Sequence, residues 1–574
     1  MTAVPVEGGV SGASIPWKKL SAWCTRNDRL LWAAWLILFG ALSATWPRDM
    51  EIDVMHYHVH NGWALMNGRY DIDFAPANLH TFLNPYYQAG VWWLMERLPG
   101  PAVAFLFGIV HGLVFPTVYW FARNATRAIG MGERRFTCVL LGATAMLSEP
   151  VLIFLASMRN DALAATAFIA ALALCVPPSG ARASLGRFTL AGFIVGMAFG
   201  LKPTNALYVL SLAVFVSVIV VGHADRLKAW LATGTAGVAG ILLTGGYWYG
   251  WLWMEFGNPF FPNMNGLFGS PYATESDFPG YVRVPGSLLE GLILPIRGSW
   301  DGILISWHTI VDFRLATLYV SALGLIAVLT YQRFAAADSE PGELAVPAPT
   351  IHRAVPALAF SMLALLFAWV FAFATHRYAL AMYPIGPVLA VVLAWCIRPA
   401  LFDGPRGLLV GMGGFVGLLL TTEYAVMHRQ PWDSYTDPYI ASQPPEGLEF
   451  ENAFIMFGGR FPAEFTAPSF PESARFGHLP APESWTGPVL SKYRPRMYDA
   501  LQAHDGPIYF VTNTLTDLEA TLPAVEAETG LESRADDCRK MKTTLNATRY
   551  APDGTAFEIG ATVCPLSRLR GATR

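Results

Sequence analysis

The composition of this 574-residue chain is typical of a membrane protein. Hydrophobic residues make up 53% of it and charged residues 14%, whereas soluble domains carry about 25% charged residues. The formal net charge of -3 provides no basic field for nucleic acid, which we exclude as a partner.

Apolar stretches of membrane-crossing length recur along the chain and predict about eleven transmembrane helices. They are 30–46, 101–122, 136–156, 160–176, 188–201, 204–222, 229–253, 311–331, 355–374, 379–397 and 407–427. Basic residues precede the first apolar stretch, as they do in cleaved signal peptides. The length of this polar N-terminal segment and the many later spans favour a retained first helix. Basic residues recur in alternate short loops, which predicts a cytoplasmic N-terminal tail, 1–29.

The fold class that follows is an all-α polytopic membrane protein with a C-terminal soluble α/β domain. The membrane domain covers 30–427 and carries two long outer loops, 47–100 and 254–310, whose amphipathic pieces, such as Met55 to Met66, are expected to lie along the membrane interface. The connector 334–350 lacks apolar periodicity. The polar region 428–574 is expected in the periplasm of a bacterial inner-membrane protein.

Two cysteines of the polar region, Cys538 and Cys564, predict a disulfide in an oxidising compartment. A strand over IYFVTN, from Ile508, is followed by a helix that Gly530 ends. These patterns indicate a small α/β unit.

Acidic residues and histidines follow the first span, where charge beside a membrane suggests function. On an α-helix Asp53, His56, Tyr57 and His60 would share one face. Asp53 is then a candidate general base for a hydroxyl acceptor. Alternatively, Glu51 and Asp53 cap a helix. A divalent metal on Asp53, His56 and His60 is a further alternative, although a histidine face without metal is favoured.

Three more charged places fall on the predicted outer side. Arg159 and Asp161 form a tight turn and either serve the site or pair with each other. Lys202 begins a Lys-Pro break after a short helix, and its charge suits binding of a phosphate at the membrane surface. Alternatively, its side chain extends toward the membrane interface to reach water. Arg377, beside Tyr378, is a second phosphate candidate or a membrane anchor.

These motifs, in this order, resemble those of the GT-C superfamily, the multispan glycosyltransferases that use polyprenyl-phosphate sugars. The likeness covers about 30–427 and is greatest to the aminoarabinose transferases and protein O-mannosyltransferases. It rests on Asp53 and Tyr57 four apart, NGWALMNGR from Asn61, LNPYYQAGVWW from Leu83, Arg159-x-Asp161, the glycine-rich run from Ala191 to Lys202, GNPFFPNMN from Gly257 and HRYALAMYP from His376. Where the aminoarabinose transferases have Lys-Pro-Pro, this chain has Asn84 and Pro85.

The resemblance implies an inverting glycosyltransferase with a polyprenyl-phosphate-linked donor, surrounded by membrane lipids, and a glycan, lipid or protein acceptor. Asp53 would be the base, supported by Asp161 and Glu51. Substrate and phosphate would contact a set of polar residues. They are Lys202, Arg377, Arg159, His56, Tyr57 and Tyr378. No cofactor follows with certainty from the sequence, and a divalent metal stays an open alternative.

Two other classes stay open. A transporter or flippase of lipid-linked glycans would show inverted repeats and charges within its spans. A glycan ligase or polymerase would use a pyrophosphate-linked donor. The gathering of the charges on one predicted face favours the transferase.

Overall fold

The computed structural model describes most of the chain. The described residues are 28–132, 134–176, 183–275, 284–306, 310–337, 352–424, 429–459, 461–479, 489–513, 517–545, 547–550 and 556–568. Residues 1–27 of the predicted tail and 338–350 of the predicted connector lie outside them.

Helices make up nearly all of the secondary structure before the polar C-terminal region. They are α1 Asp28–Thr45, α2 Val59–Met66, α3 Tyr86–Met95, α4 Gly100–Gly112, α5 Val114–Ala128, α6 Arg135–Met146, α7 Glu149–Leu152, α8 Asp161–Cys175, α9 Leu185–Leu201, α10 Ala206–Ile219, α11 Arg226–Phe256, α12 Asn265–Phe268, α13 Leu288–Trp300, α14 Arg314–Ala337, α15 Ala354–Ala372, α16 Met382–Ile397 and α17 Gly404–Leu420.

The apolar helices coincide in order and position with the predicted spans. In the part of the chain that the structure describes, four segments are long and apolar enough to cross a membrane: Gly100–Ala128, Arg226–Phe256, Arg314–Phe334 and Ala354–Ala372. Among the described residues, seven further apolar helices have 10–17 residues. The body is thus that of an integral membrane protein, while a count of eleven crossings stays a prediction.

Small residues let α9 and α11 pack with their backbones in close contact. Gly192 and Gly196 lie one turn apart on α9, and a Cβ atom on Gly196 would stand 2.0 Å from the Gly237 carbonyl oxygen of α11. Only glycine permits such an approach, as in small-residue motifs of membrane helices. The pairing fixes the end of α9, which Lys202 follows.

The segment after α1 is buried, contrary to the expectation that it lies along the membrane interface. A π-helical turn, Val54–His58, leads into α2, and most residues of both are buried. Trp63 and Ala64 of α2 belong to a hydrophobic cluster shared with the C-terminal region. The reason is that the apolar side of this segment is covered by protein from a distant part of the chain.

The second outer loop includes a helix with an exposed apolar side. On α13 the side chains of Leu288, Leu289, Ile293 and Ile296 are exposed, while Gly291 and Leu294 are buried. This distribution is the one expected of a helix at the membrane interface.

The C-terminal region is an α/β domain, as predicted. Its helices are α18 Arg494–Gln502 and α19 Leu518–Thr529. The strands within the described residues are β1 Arg48–Asp49, β2 Arg429–Gln430, β3 Ser442–Gln443, β4 Phe454–Phe457, β5 Arg475–His478, β6 Ile508–Asn513, β7 Leu531–Glu532, β8 Arg539–Lys540, β9 Lys542–Thr543, β10 Ala547–Tyr550, β11 Ala556–Ile559 and β12 Ala561–Arg568.

The main sheet has the order β5-β4-β6-β12-β7, with β8 also paired to β12. Strand β4 is parallel to β5 and β6, whereas β12 runs antiparallel to β6. Cys564 on β12 and Cys538 form the disulfide that their isolation in the polar region predicts. Gly530 ends α19 in the left-handed conformation, with φ 70°.

A buried ion pair attaches this domain to the first outer loop. Arg69 donates to both carboxylate oxygens of Asp73, at 3.0 and 2.7 Å. Arg69 also donates to the carbonyl oxygens of Glu472 and Ala474, and the Phe476 amide donates to Asp73 at 3.0 Å. Because the buried charges are paired and hydrogen-bonded, removing either partner would be costly. The domain therefore packs firmly on the loop.

Candidate functional site

Asp53 stands at the entry to the π-helical turn and forms an ion pair with Arg377. Arg377 Nη1 donates to Asp53 Oδ2, and 22% of the Asp53 side chain remains exposed. Burial would raise the pKa of the Asp53 carboxyl, but the charges of Arg377 and Arg159 outweigh burial and hold the pKa well below its usual range. The carboxylate makes no capping hydrogen bond to the turn, contrary to the capping alternative.

Arg159 lies among the acidic residues that follow α1. Its Nη2 is 3.8 Å from Glu51 Oε2, and both side chains are largely buried. Burial would lower the pKa of Arg159, but the carboxylates of Asp49, Asp53 and Glu51 outweigh burial and raise it. Arg159 thus neutralises the acidic stretch after α1, and the alternative of a local Arg159–Asp161 pair is not the arrangement found.

Lys202 points inward from the break between α9 and α10. Its Nζ donates to Asp161 Oδ1 at 2.5 Å and lies 5.0 Å from the centre of the Tyr378 ring. The side chain is 19% exposed, so it does not snorkel away from the body. A turn of 3-10 helix, Pro203–Asn205, forms the predicted break.

Contacts join these predicted positions into one cluster. Arg377 Nη2 donates to Tyr378 Oη at 3.0 Å, so Tyr378 stands between Arg377 and Lys202. Tyr57 is close enough to Asp53 and Arg377 for their charges to act on its hydroxyl. We call the set Asp53, Tyr57, Arg159, Asp161, Lys202, Arg377 and Tyr378 the charged cluster.

A second buried network anchors the turn that carries Arg377. His376 Nε2 is 3.6 Å from Glu149 Oε2. The Glu149 amide donates to Asp312 at 3.0 Å, and Asp312 pairs with Arg314 at 2.9 Å. The turn is therefore tied to α7 and to the start of α14.

His56 and His60 do not share a face with Asp53 as the α-helical spacing predicts. His56 Nδ1 is 3.2 Å from Glu464 Oε2, and the Tyr57 ring stacks on His80 with 5.0 Å between centres. His60 Nδ1 is 3.2 Å from Asn61 Oδ1. A π-helical turn has more residues per turn than an α-helix, so residues three and four apart lose their common face.

This arrangement separates the three residues of the metal alternative. Asp53 pairs with Arg377, His56 with Glu464, and His60 contacts Asn61. Within the described ranges, no group of three His, Cys, Asp or Glu side chains has the geometry of a metal site.

The C-terminal domain contributes residues that the sequence did not indicate. Glu464 is buried and lies between His56, at 3.2 Å, and His478, at 3.6 Å. Burial would raise the pKa of Glu464, but the two histidines outweigh burial and lower it to about 2. No local signal marked Glu464, because only the docking of the two domains brings it beside His56.

Asn84 occupies the place where the resembled transferases have a lysine. Its Nδ2 donates to the carbonyl oxygens of Gly200 and Thr244, at 2.7 and 2.8 Å. Asn84 thus bridges α9 and α11 just before Lys202. Asn84 therefore has a structural role and adds no positive charge to the charged cluster.

Comparisons with known proteins find solved structures only. No family model matches the chain, and no curated protein matches it. ArnT from Cupriavidus metallidurans bound to undecaprenyl phosphate is similar at 13% identity, over 93% of this chain and 97% of that chain, with a TM-score of 0.41. The apo state of the same protein gives 14% identity, 94% and 98% coverage and a TM-score of 0.42. Both belong to the group that the sequence motifs resemble.

Proposed function

We propose that this chain is a membrane glycosyltransferase that moves a sugar from a polyprenyl phosphate to an acceptor at the outer face of the membrane. The observation that carries the proposal is the contact of Asp53 with Arg377, and through Tyr378 with Lys202, in a partly exposed cluster. It unites a carboxylate suited to general base catalysis with two cations suited to a phosphate.

The donor phosphate would bind between Lys202 Nζ and the Arg377 guanidinium. Each cation is paired with a carboxylate, Lys202 with Asp161 and Arg377 with Asp53. A phosphate that draws Arg377 toward itself weakens the Arg377–Asp53 pair and raises the pKa of Asp53. Donor binding would thereby turn a weakly basic carboxylate into an effective base.

In the transfer step the acceptor hydroxyl oxygen attacks the anomeric carbon as Asp53 takes its proton. The bond from the anomeric carbon to the phosphate oxygen breaks, and the electron pair leaves with the phosphate. Lys202 and Arg377 stabilise the negative charge that develops there. Attack opposite to the leaving group inverts the anomeric centre.

Other residues in and beside the charged cluster would hold these groups in position. Asp161 orients Lys202, and Tyr378 orients Arg377. Glu51 and Arg159 form a neighbouring pair that sets the charge around Asp53. Tyr57 and His56 would face the sugar from the π-helical turn.

The test is cleavage of a labelled donor by the full-length protein in lipid nanodiscs. The assay follows transfer of label from polyprenyl-phosphate sugars, with Asp53→Asn compared against Glu96→Gln, an exposed carboxylate of the same loop, 44% exposed. We expect Asp53→Asn to lose at least about a hundredfold of the rate, the scale of general base catalysis, and Glu96→Gln to keep it. Full activity of Asp53→Asn with unchanged melting would remove Asp53 from the site.

Product analysis separates the alternatives. A flippase moves intact donor across the bilayer without breaking the sugar–phosphate bond. A ligase or polymerase transfers a whole glycan and releases a pyrophosphate carrier. Transfer of single sugars with release of a monophosphate carrier supports the proposal.

A further inference from the structure

A cavity lies between the first outer loop, the end of α11 and the C-terminal domain. Its volume is about 290 Å³, near the lower end of the range for small-molecule sites. Tyr70, Trp251 and Tyr493 contribute to its walls, whereas Asp53, Lys202 and Arg377 do not line it. The cavity is therefore separate from the charged cluster, and it exists only because the two domains are docked.

One wall residue has an unused hydrogen-bonding atom. His60 lines the cavity and is fully buried, and its Nε2 has no hydrogen-bond partner among the described residues. Its Nδ1 faces Asn61 Oδ1 at 3.2 Å, an acceptor, so Nδ1 carries the proton and Nε2 is free to accept. Burial lowers the pKa of His60 to about 4, which keeps the ring neutral at pH 7. A neutral buried acceptor suits a hydroxyl donor.

The charges of the cavity disfavour an acidic ligand. Arg69 and Arg496 are already paired, with Asp73 at 2.7 Å and with Glu255 at 3.2 Å. Asp71 also lines the cavity, so carboxylates outnumber cations. A phosphate or a sugar acid would meet a net negative surface, and an uncharged or amine-bearing ligand would not.

The aromatic walls offer ring faces and edges at several angles. Tyr70 and Trp251 are 5.7 Å apart with 62° between their planes, and the Arg496 guanidinium lies 5.5 Å from the Tyr493 ring. A saccharide has C–H faces that pack on aromatic rings and hydroxyl edges that bond to polar groups. Aromatic walls, a free acceptor and a polar rim together match both surfaces of a sugar.

We infer that this cavity binds a sugar unit without an acidic group, and that the sugar belongs to the acceptor. The assignment to the acceptor rests on the proposed function. In that function the carrier phosphate needs Lys202 and Arg377, which lie in the charged cluster, while the surplus of carboxylates here repels it. Asp53 of the charged cluster precedes the π-helical turn and His60 of the cavity lies on α2, which directly follows that turn, so one continuous segment connects the two sites.

Direct binding of sugars to the full-length protein in nanodiscs, without donor, tests the cavity. The probes are the methyl glycosides of glucose, mannose, galactose, arabinose and glucosamine, titrated by saturation-transfer NMR, with glucuronic acid and glucose 6-phosphate as acidic counterparts. Trp251→Leu is compared with Trp253→Leu, a tryptophan of the same helix that is 58% exposed and does not line the cavity.

We expect at least one neutral or amine-bearing glycoside to bind, and Trp251→Leu to weaken that binding about tenfold, with no change in Trp253→Leu. His60→Phe, which keeps a ring but removes the acceptor atom, is expected to weaken it as well. Glu255→Gln, at the exposed rim, is expected to reduce the discrimination against glucuronic acid. This variant keeps the test valid if His60→Phe fails to fold.

The inference is overturned if none of the neutral or amine-bearing glycosides binds, if Trp251→Leu and Trp253→Leu have the same affinity, or if the acidic sugars bind as tightly as the neutral ones. The donor-cleavage assay separates the two proposals. If sugars bind but no donor is cleaved, the cavity remains a sugar-binding site, but the sugar is no longer assigned to an acceptor. If the donor is cleaved but no sugar binds, the proposed transferase function is supported and the proposal of a sugar site in the cavity is refuted.

Discussion

Replacing Glu464 by glutamine is expected to loosen the attachment of the C-terminal domain to the segment that Asp53 begins. Glu464 is 2% exposed and lies 3.2 Å from His56 and 3.6 Å from His478. Its pKa of about 2, against 4.5 ordinarily, corresponds to roughly 3 kcal/mol of stability. Because the folded-state pKa is the lower of the two, this stabilisation is present above about pH 4.5 and is lost as the pH falls toward 2.

Thermal unfolding in nanodiscs measures the effect. At pH 7, Glu464→Gln is expected to melt at a lower temperature than the unchanged protein, and the gap is expected to close as the pH falls below about 4.5. Glu451→Gln, an exposed carboxylate of the same domain, serves as the matched control.

A double-mutant cycle with His56→Gln isolates the contact itself, with a coupling of about 1–3 kcal/mol expected. Equal melting of Glu464→Gln and the unchanged protein at pH 7 would refute the reasoning. So would a gap that is independent of pH, or strictly additive effects in the cycle.

Three further changes address the helix packing, the disulfide and the phosphate site. Gly196→Leu places side-chain atoms where the α11 backbone lies and is expected to destabilise the fold by about 3 kcal/mol. The measurements are the yield of folded protein and the melting temperature, both of which should fall. Values equal to those of the unchanged protein would contradict the close approach of the two helices. Cys538→Ser opens a loop of 26 residues and is expected to cost about 3.5 kcal/mol by chain entropy, a loss that treatment of the unchanged protein with reductant should reproduce. Lys202→Met removes the ammonium group that pairs with Asp161 and is expected to weaken binding of a sugar-free polyprenyl phosphate about tenfold or more. Lys228→Met, which removes an exposed lysine, is the control.

Much of the candidate site was predictable because its residues stand where charge is costly. Asp53, Lys202 and Arg377 each lie beside an apolar helix, and the Lys-Pro break after α9 is visible in the chain. Their contacts were not predictable. Asp53 and Arg377 are 324 residues apart, and no local pattern selects Arg377 over the other cations as the partner of Asp53.

The histidine face and the interfacial position of the first outer loop were mistaken for related reasons. The α-helical spacing of His56 and His60 does not hold across the π-helical turn, whose extra residue per turn rotates them apart. Met55–Met66 has an amphipathic pattern that suits lipid or protein equally well. Protein covers it, because the C-terminal domain folds back over the loop.

The amino-acid sequence by itself determined where the apolar helices lie and which charged residues stand at the ends of helices. These properties follow from the transfer of each short stretch from water to lipid, which depends on local composition alone. Only the tertiary structure decided that Lys202 pairs with Asp161, that Glu464 reaches His56 and that a cavity opens beside His60. Such contacts depend on how helices and domains pack, and packing is set by the shapes of surfaces drawn from the whole chain.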